Sequence, residues 1–138
     1  MSYLVEGACQ CGQVSYKLNK PPIAVFACHC IECQKLSTAP FSVTAIVRTE
    51  DIDIDGELKE WGRLAESGNK NVAKFCPDCG NRVYHYNPDE LSTLKLKLKA
   101  SSEEDHSVFE PQAHVWVSEK QDWYQVPEGV PTYDKQPS

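Results

Sequence analysis

Three short cysteine clusters constrain this chain more than any other feature: Cys9-Gln10-Cys11, Cys28-His29-Cys30-Ile31-Glu32-Cys33 and Cys76-Pro77-Asp78-Cys79. They hold all seven cysteines of the 138 residues, so none is solitary. An odd number cannot close a complete set of disulfides, and the close spacing within each cluster is that of metal-ligating knuckles. The weaker alternative for any one cysteine is a small buried hydrophobe. Whatever fold forms must bring distant thiols together around soft cations.

Four plus three is the natural partition. Cys9/Cys11 and Cys76/Cys79 are two-sulfur clips, each followed by a glycine, Gly12 and Gly80, that lets the backbone turn past a metal. Together they complete a closed tetrahedral site of four cysteines, the geometry of a structural zinc. Cys28, Cys30 and Cys33 then share a second zinc whose fourth position stays open to water, a histidine or an incoming thiol, so this is where catalysis is expected. Three thiolates already donate charge to the ion, which favours capture and activation of a thiol over hydrolysis by bound hydroxide. His29, between two ligands, is expected to point away from their metal, and His114 to be a buried, hydrogen-bonded histidine. His85 and His106 carry little signal. No Ser-His-Asp order, phosphate-binding glycine loop or dinucleotide fingerprint is present.

The rest of the chain reads as mainly β. Val14–Leu18, Phe41–Arg48, Arg82–Tyr86 and Thr93–Lys99 alternate apolar with polar residues, the period of a half-buried strand. Ile23–Ala27 is a continuous apolar run delivering the chain to Cys28, and Gln34–Thr38 suits one or two helical turns beside the metal. Such a turn would aim backbone N–H groups at the thiolates. Ile52–Asp55 and Leu58–Trp61 are expected to form a hairpin through the turn dipeptide Asp55-Gly56. Lys95, Lys97 and Lys99, alternating with leucines, are expected on a solvated face, and Trp123 with Tyr124 to pack the tail down. Residues 1–125 are read as one zinc-binding domain and 126–138 as a C-terminal tail, partly disordered.

Fourteen basic against 20 acidic residues leave a net charge of −6, which argues against a nucleic-acid backbone or an anionic membrane as partner. No run of eighteen apolar residues exists, and the first residues lack the basic start and apolar stretch of a signal peptide, so the expected location is the cytoplasm, where thiols stay reduced.

Together the segments Gly7–Tyr16, Cys28–Lys35, Phe75–Gly80 and His114–Trp116 with Trp123 resemble the glutathione-dependent formaldehyde-activating enzyme family, also named with centromere protein V, within the Mss4-like fold group. The resemblance implies a complex β fold of short antiparallel sheets with zinc knuckles and few short helical turns. It implies one structural zinc and a second, catalytic zinc on the three-cysteine cluster. It also implies a carbon–sulfur lyase type of reaction, in which glutathione adds reversibly to formaldehyde to give S-hydroxymethylglutathione. Thr38 stands where the family usually has glycine. The alternative function is a non-catalytic, zinc-stabilised interaction module, since the fold group includes protein-binding members.

Overall fold

A computed structural model describes residues 3–137. Among the described residues ten strands form two sheets, accompanied by one short α-helix. A three-stranded sheet has the order β1 (Val5–Ala8), β2 (Ser15–Leu18), β5 (Ile52–Asp55). The larger sheet begins with β10 (Ala113–Val115), β3 (Ala24–Cys28), β4 (Ser42–Arg48) and β9 (Glu90–Leu96). It ends with β8 (Arg82–Asn87), β7 (Lys70–Phe75) and β6 (Lys59–Leu64) at the far edge. All neighbours are antiparallel except β10 and β3, which run parallel. The mainly β architecture of short antiparallel sheets expected from the alternating pattern is therefore the one observed.

Period-2 patterning explains which residues meet between the sheets. Val5, Tyr16 and Leu18 from the small sheet and Val47, Val83 and Leu96 from the large one are almost wholly buried. Tyr16 takes its hydroxyl into this core and satisfies it by donating to Leu98 O at 3.0 Å. Removing such a side chain costs about 2–5 kcal/mol, because the packed surroundings collapse only partly into the space.

The expected hairpin through Asp55-Gly56 does not form. β5 pairs with β2, with Ile54 opposite Tyr16, whereas β6 pairs with β7, with Trp61 opposite Ala73. Gly56, at φ +119°, is the point where the chain leaves one sheet for the other, and a Cβ there would strike Gln13 O and Val14 Cα. An Asp-Gly dipeptide announces a backbone region closed to other residues, not the partner of the strand that follows.

The α-helix α1 (Ile31–Ser37) starts on Cys30, whose sulfur accepts the Cys33 N–H at 3.4 Å. It ends on Thr38 at φ +49°, a left-handed position where a β-branched side chain is strained. Glu103–Phe109, which opens on the three acids Glu103, Glu104 and Asp105, forms a 3-10 turn whose last side chain is buried. Beyond it the tail is bonded along β10: His114 N donates to Pro131 O, Tyr133 N to His114 O and Trp116 N to Lys135 O. Lys135 also pairs with Glu66 at 2.6 Å. The tail is thus held in place, where a partly disordered end was expected. Tyr124 packs inward as expected, but Trp123 is 69% exposed and meets the Tyr124 ring edge-on from outside. Among the described residues no helix is long and apolar enough to cross a membrane.

Candidate metal centres and the cleft beside them

The two clips meet in space because the turns that carry them do. Cys9 and Cys11 lie in the β1–β2 turn, Cys76 and Cys79 in the β7–β8 turn, and their four sulfurs all fall within 4.8 Å of one another. Cys9 and Cys11 are 3.7 Å apart, Cys11 and Cys76 3.6 Å. A tetrahedron of sulfurs at the usual zinc–thiolate length has an edge of about 3.8 Å, whereas a disulfide would draw two sulfurs to about 2.05 Å. The spacing fits a shared cation and excludes a bridge. Amide donors are already aimed at the sulfurs: Val14 N at Cys9 (3.3 Å), Asp78 N at Cys76 (3.4 Å) and Gln13 Nε2 at Cys76 (3.5 Å). Burial pushes the Cys9 thiol up, but the Val14 N–H and the neighbouring cysteines outweigh it and bring it down to about 6. Cys11, despite the Gln13 N–H, is pushed up to about 12 by burial and by the neighbouring cysteines, so the sulfurs hold their protons unequally and a metal that takes all four must displace those that remain.

The second group is Cys28 at the end of β3, Cys30 at the N-terminus of α1 and Cys33 in its first turn, again with all three sulfurs within 4.8 Å. These residues also fit a soft cation, and among the described histidines, cysteines and acids no fourth joins them. Hydrogen bonds from Cys28 and Cys30 hold the Cys33 thiol far below its ordinary value against burial, with Lys97 and Ser42 helping. Bonds to Cys30 and Cys33, with burial, push the Cys28 thiol far above its own.

His29 does turn away from the sulfurs. It is fully buried against Phe41, Tyr124 and His114, and its Nε2 shares a hydrogen bond of 2.7 Å with His114 Nδ1. Burial lowers it to about 4, with His114 and Lys120 adding to the effect. Its backbone carbonyl accepts from Gln34 Nε2 at 2.7 Å, and Glu119 Oε1 accepts from Ile31 N at 2.7 Å, so the start of α1 is tied on both sides. The expectation of a buried, hydrogen-bonded His114 agrees with the structure.

The three sulfurs open onto a cleft of ≈ 380 Å³. Phe26, Ile46, Val115 and Trp116 give it apolar walls. Arg63, Lys95 and Lys97 bring positive charge and Glu32, Glu66 and Glu119 negative. His85 lies at its base, buried, accepting at Nε2 from Arg82 Nη1 at 3.0 Å, which places its own ring proton on Nδ1. Burial, reinforced by Lys97 and Arg82, lowers His85 to about 3, so it stays neutral at ordinary pH.

Two cleft residues, Lys97 and His85, were not legible as site residues. Lys97 and Lys99 do not belong to a solvated stripe: Lys97 Nζ donates to Thr44 Oγ1 (2.6 Å) and Ser42 Oγ (3.2 Å), and Lys99 Nζ to Lys97 O (2.6 Å) and Val43 O (2.8 Å). Only Lys95 is exposed. The facing strand holds the explanation, since β4 pairs with β9 as Ala45 with Leu96, and continuing that register sets Thr44 and Ser42 against Lys97 and Lys99. Polar residues at alternate positions of β4 were the available signal, hidden until the pairing was known. His85 was passed over because a lone histidine in an alternating strand looks the same whether it faces water or a buried arginine.

Fold and thiols together define a class: a mainly β domain with two cysteine sites able to hold zinc, one closed by four sulfurs and one left with three. The sequence profile of the glutathione-dependent formaldehyde-activating enzyme family matches residues 4–119, and the chain belongs to that family. Among solved structures it is similar to a Rhodobacter sphaeroides protein determined by crystallography as a structural-genomics target. The TM-score is 0.52 at 14% identity over 93% of this chain and 98% of that one, a likeness of fold. No curated protein matches.

Proposed function

We propose that the chain joins a small thiol of the glutathione type to formaldehyde or another aldehyde, acting as a carbon–sulfur lyase at the Cys28/Cys30/Cys33 face of the cleft. The observation that carries this reading is three converging thiols, one short of a tetrahedral set, on the wall of a cleft lined by both signs of charge. Zinc held there would keep an incoming thiol ionised. Cys9, Cys11, Cys76 and Cys79 would hold a second, structural zinc.

The reaction itself balances without an oxidant or reductant. The thiol sulfur bonds to the carbonyl carbon, the carbon–oxygen π bond breaks, and the thiol proton ends on that oxygen, giving a hydroxymethyl thioether. The chain's residues have three tasks. Phe26, Val115 and Trp116 keep water from the reacting atoms. Arg63 and Lys95 offer partners for carboxylates, and Glu66 and Glu119 for an ammonium, which is the charge pattern of a zwitterionic peptide thiol. Lys97 sets a buried positive charge beside Cys33 and favours anionic sulfur there.

Two-dimensional exchange NMR of glutathione with formaldehyde, with and without protein, tests the reading. The wild type accelerates exchange, while Cys30→Ser keeps the fold, drops zinc from two per chain to one and loses the acceleration. Acceleration that persists in Cys30→Ser sinks the proposal for this cluster, and no acceleration by the wild type sinks it in favour of a non-catalytic interaction module.

A further inference from the structure

A second groove of ≈ 680 Å³ abuts the cleft, and the two share only Leu36 and Lys97. One wall is the Cys79–Arg82 knuckle, the other the C-terminal half of α1, and Lys97 and Lys99 form the floor. Four of its lining residues are basic, Lys35, Arg82, Lys97 and Lys99, and none is acidic, in a protein with six more acidic than basic residues. Lys35 pairs with Glu32 at 3.5 Å, but among the described residues no carboxylate lies within salt-bridge distance of the other three.

Several acceptors on this surface are engaged while donors are left over. Ser37 Oγ donates to Cys33 O and Phe41 O, Asn81 Oδ1 accepts from Gln10 N, and Val43 O accepts from Lys99. Lys97 and Lys99 each use two of three ammonium protons, and Arg82 spends one N–H on His85. Among the described residues, Arg82 and Lys99 thus face one groove with no carboxylate partner and with N–H groups to spare.

We propose that this groove is a second ligand site, separate from the thiol centre, that binds a small molecule through a doubly charged oxyanion group, a phosphate or a dicarboxylate. Two partly buried cations on one groove, each with donors left over, favour a group with several anionic oxygens over a cationic or neutral one.

Titration of the zinc-loaded full chain tests this with inorganic phosphate and, separately, succinate, at low ionic strength and with neither thiol nor aldehyde present. The result therefore stands or falls apart from the aldehyde reaction. Calorimetry should give one saturable site per chain for at least one dianion, with amide shifts in the NMR spectrum at Ser37, Asn81 and Lys99 and none at Glu66 or Gln136. Acetate and chloride at equal ionic strength should not saturate. Lys99→Met and Arg82→Gln should each weaken binding by at least about tenfold with zinc content retained, and Lys99→Arg should keep it. Phosphate alone would identify a phosphate-bearing ligand, succinate alone a dicarboxylate. Failure of both to saturate by about 10 mM, or affinities untouched in both Lys99→Met and Arg82→Gln, overturns the proposal.

Discussion

Replacing Gly56 with alanine should loosen the domain at the crossing between its sheets, and the size of the effect can be worked from local geometry. At φ +119° the new side chain sits in a region almost closed to L-residues, a strain of about 1–3 kcal/mol. Its Cβ would lie 2.9 Å from Val14 Cα and closer still to Gln13 O, both backbone atoms that cannot swing aside. Relief requires moving the Gln13 segment, whose side chain donates to Glu57 O at 3.0 Å and accepts from Glu57 N at 2.5 Å. Losing that pair at a solvent-exposed position adds about 1–2 kcal/mol. The sum, about 2–5 kcal/mol, corresponds to a fall in Tm of about 7–17 °C for a chain of this length. Because Gln13 Nε2 also donates to Cys76 Sγ, zinc should pass faster to a colorimetric chelator from the four-cysteine site, while the three-cysteine site keeps its wild-type rate. Matched thermal scans and chelator release measure both. A Tm within about 3 °C of wild type would refute the steric argument, and unchanged release would refute the link through Gln13.

Cys76→Ser should cost more than any cavity in the core, because it breaks a site drawn from both sheets; the expected outcome is loss of one zinc per chain and of cooperative unfolding, read by metal analysis and circular dichroism. Thr38→Gly should instead stabilise, by about 1 kcal/mol, since it relieves a left-handed β-branched residue at the end of α1; a lower Tm would refute the strain. Stability should also decline as pH falls from about 6.5, because His85, held neutral down to about 3 in the folded chain, takes up its proton first in the unfolded one. Tm measured between pH 7.5 and 5.5 should fall less steeply in His85→Gln, and an identical slope would remove His85 from the account.

How far the sequence could be read depended on whether a feature was local. The alternation in Phe41–Arg48 and Arg82–Tyr86 announces strands because burial on one face of a pleat needs nothing but the segment itself. The cysteine partition was legible for a related reason: chelating spacing is a property of a few consecutive residues, and only one grouping fills a tetrahedron. Partnership between strands is not local. Asp55-Gly56 looks like a hairpin turn whether β6 returns to β5 or crosses to β7, and the choice falls to the packing of Ile52 and Ile54 against β2. The fate of Lys97 was equally hidden, since the residues that receive its ammonium lie more than fifty positions earlier. Thr38 was visible as a departure, but its left-handed backbone was not.

The four-cysteine site has a consequence for how the protein is made. Its two halves are separated by the whole of β2 to β7, so no ribosome-bound chain can close it until Cys79 has emerged. Five of the seven thiols, through Cys33, appear first, and the next 46 residues take about 2–9 s at ordinary elongation rates. During that interval Cys28, Cys30 and Cys33 form the complete chelating set already synthesised, while Cys9 and Cys11 wait as a half-site. The centre with room for chemistry is thus the first that translation makes available to a metal, and the clasp that fastens the two sheets is the last.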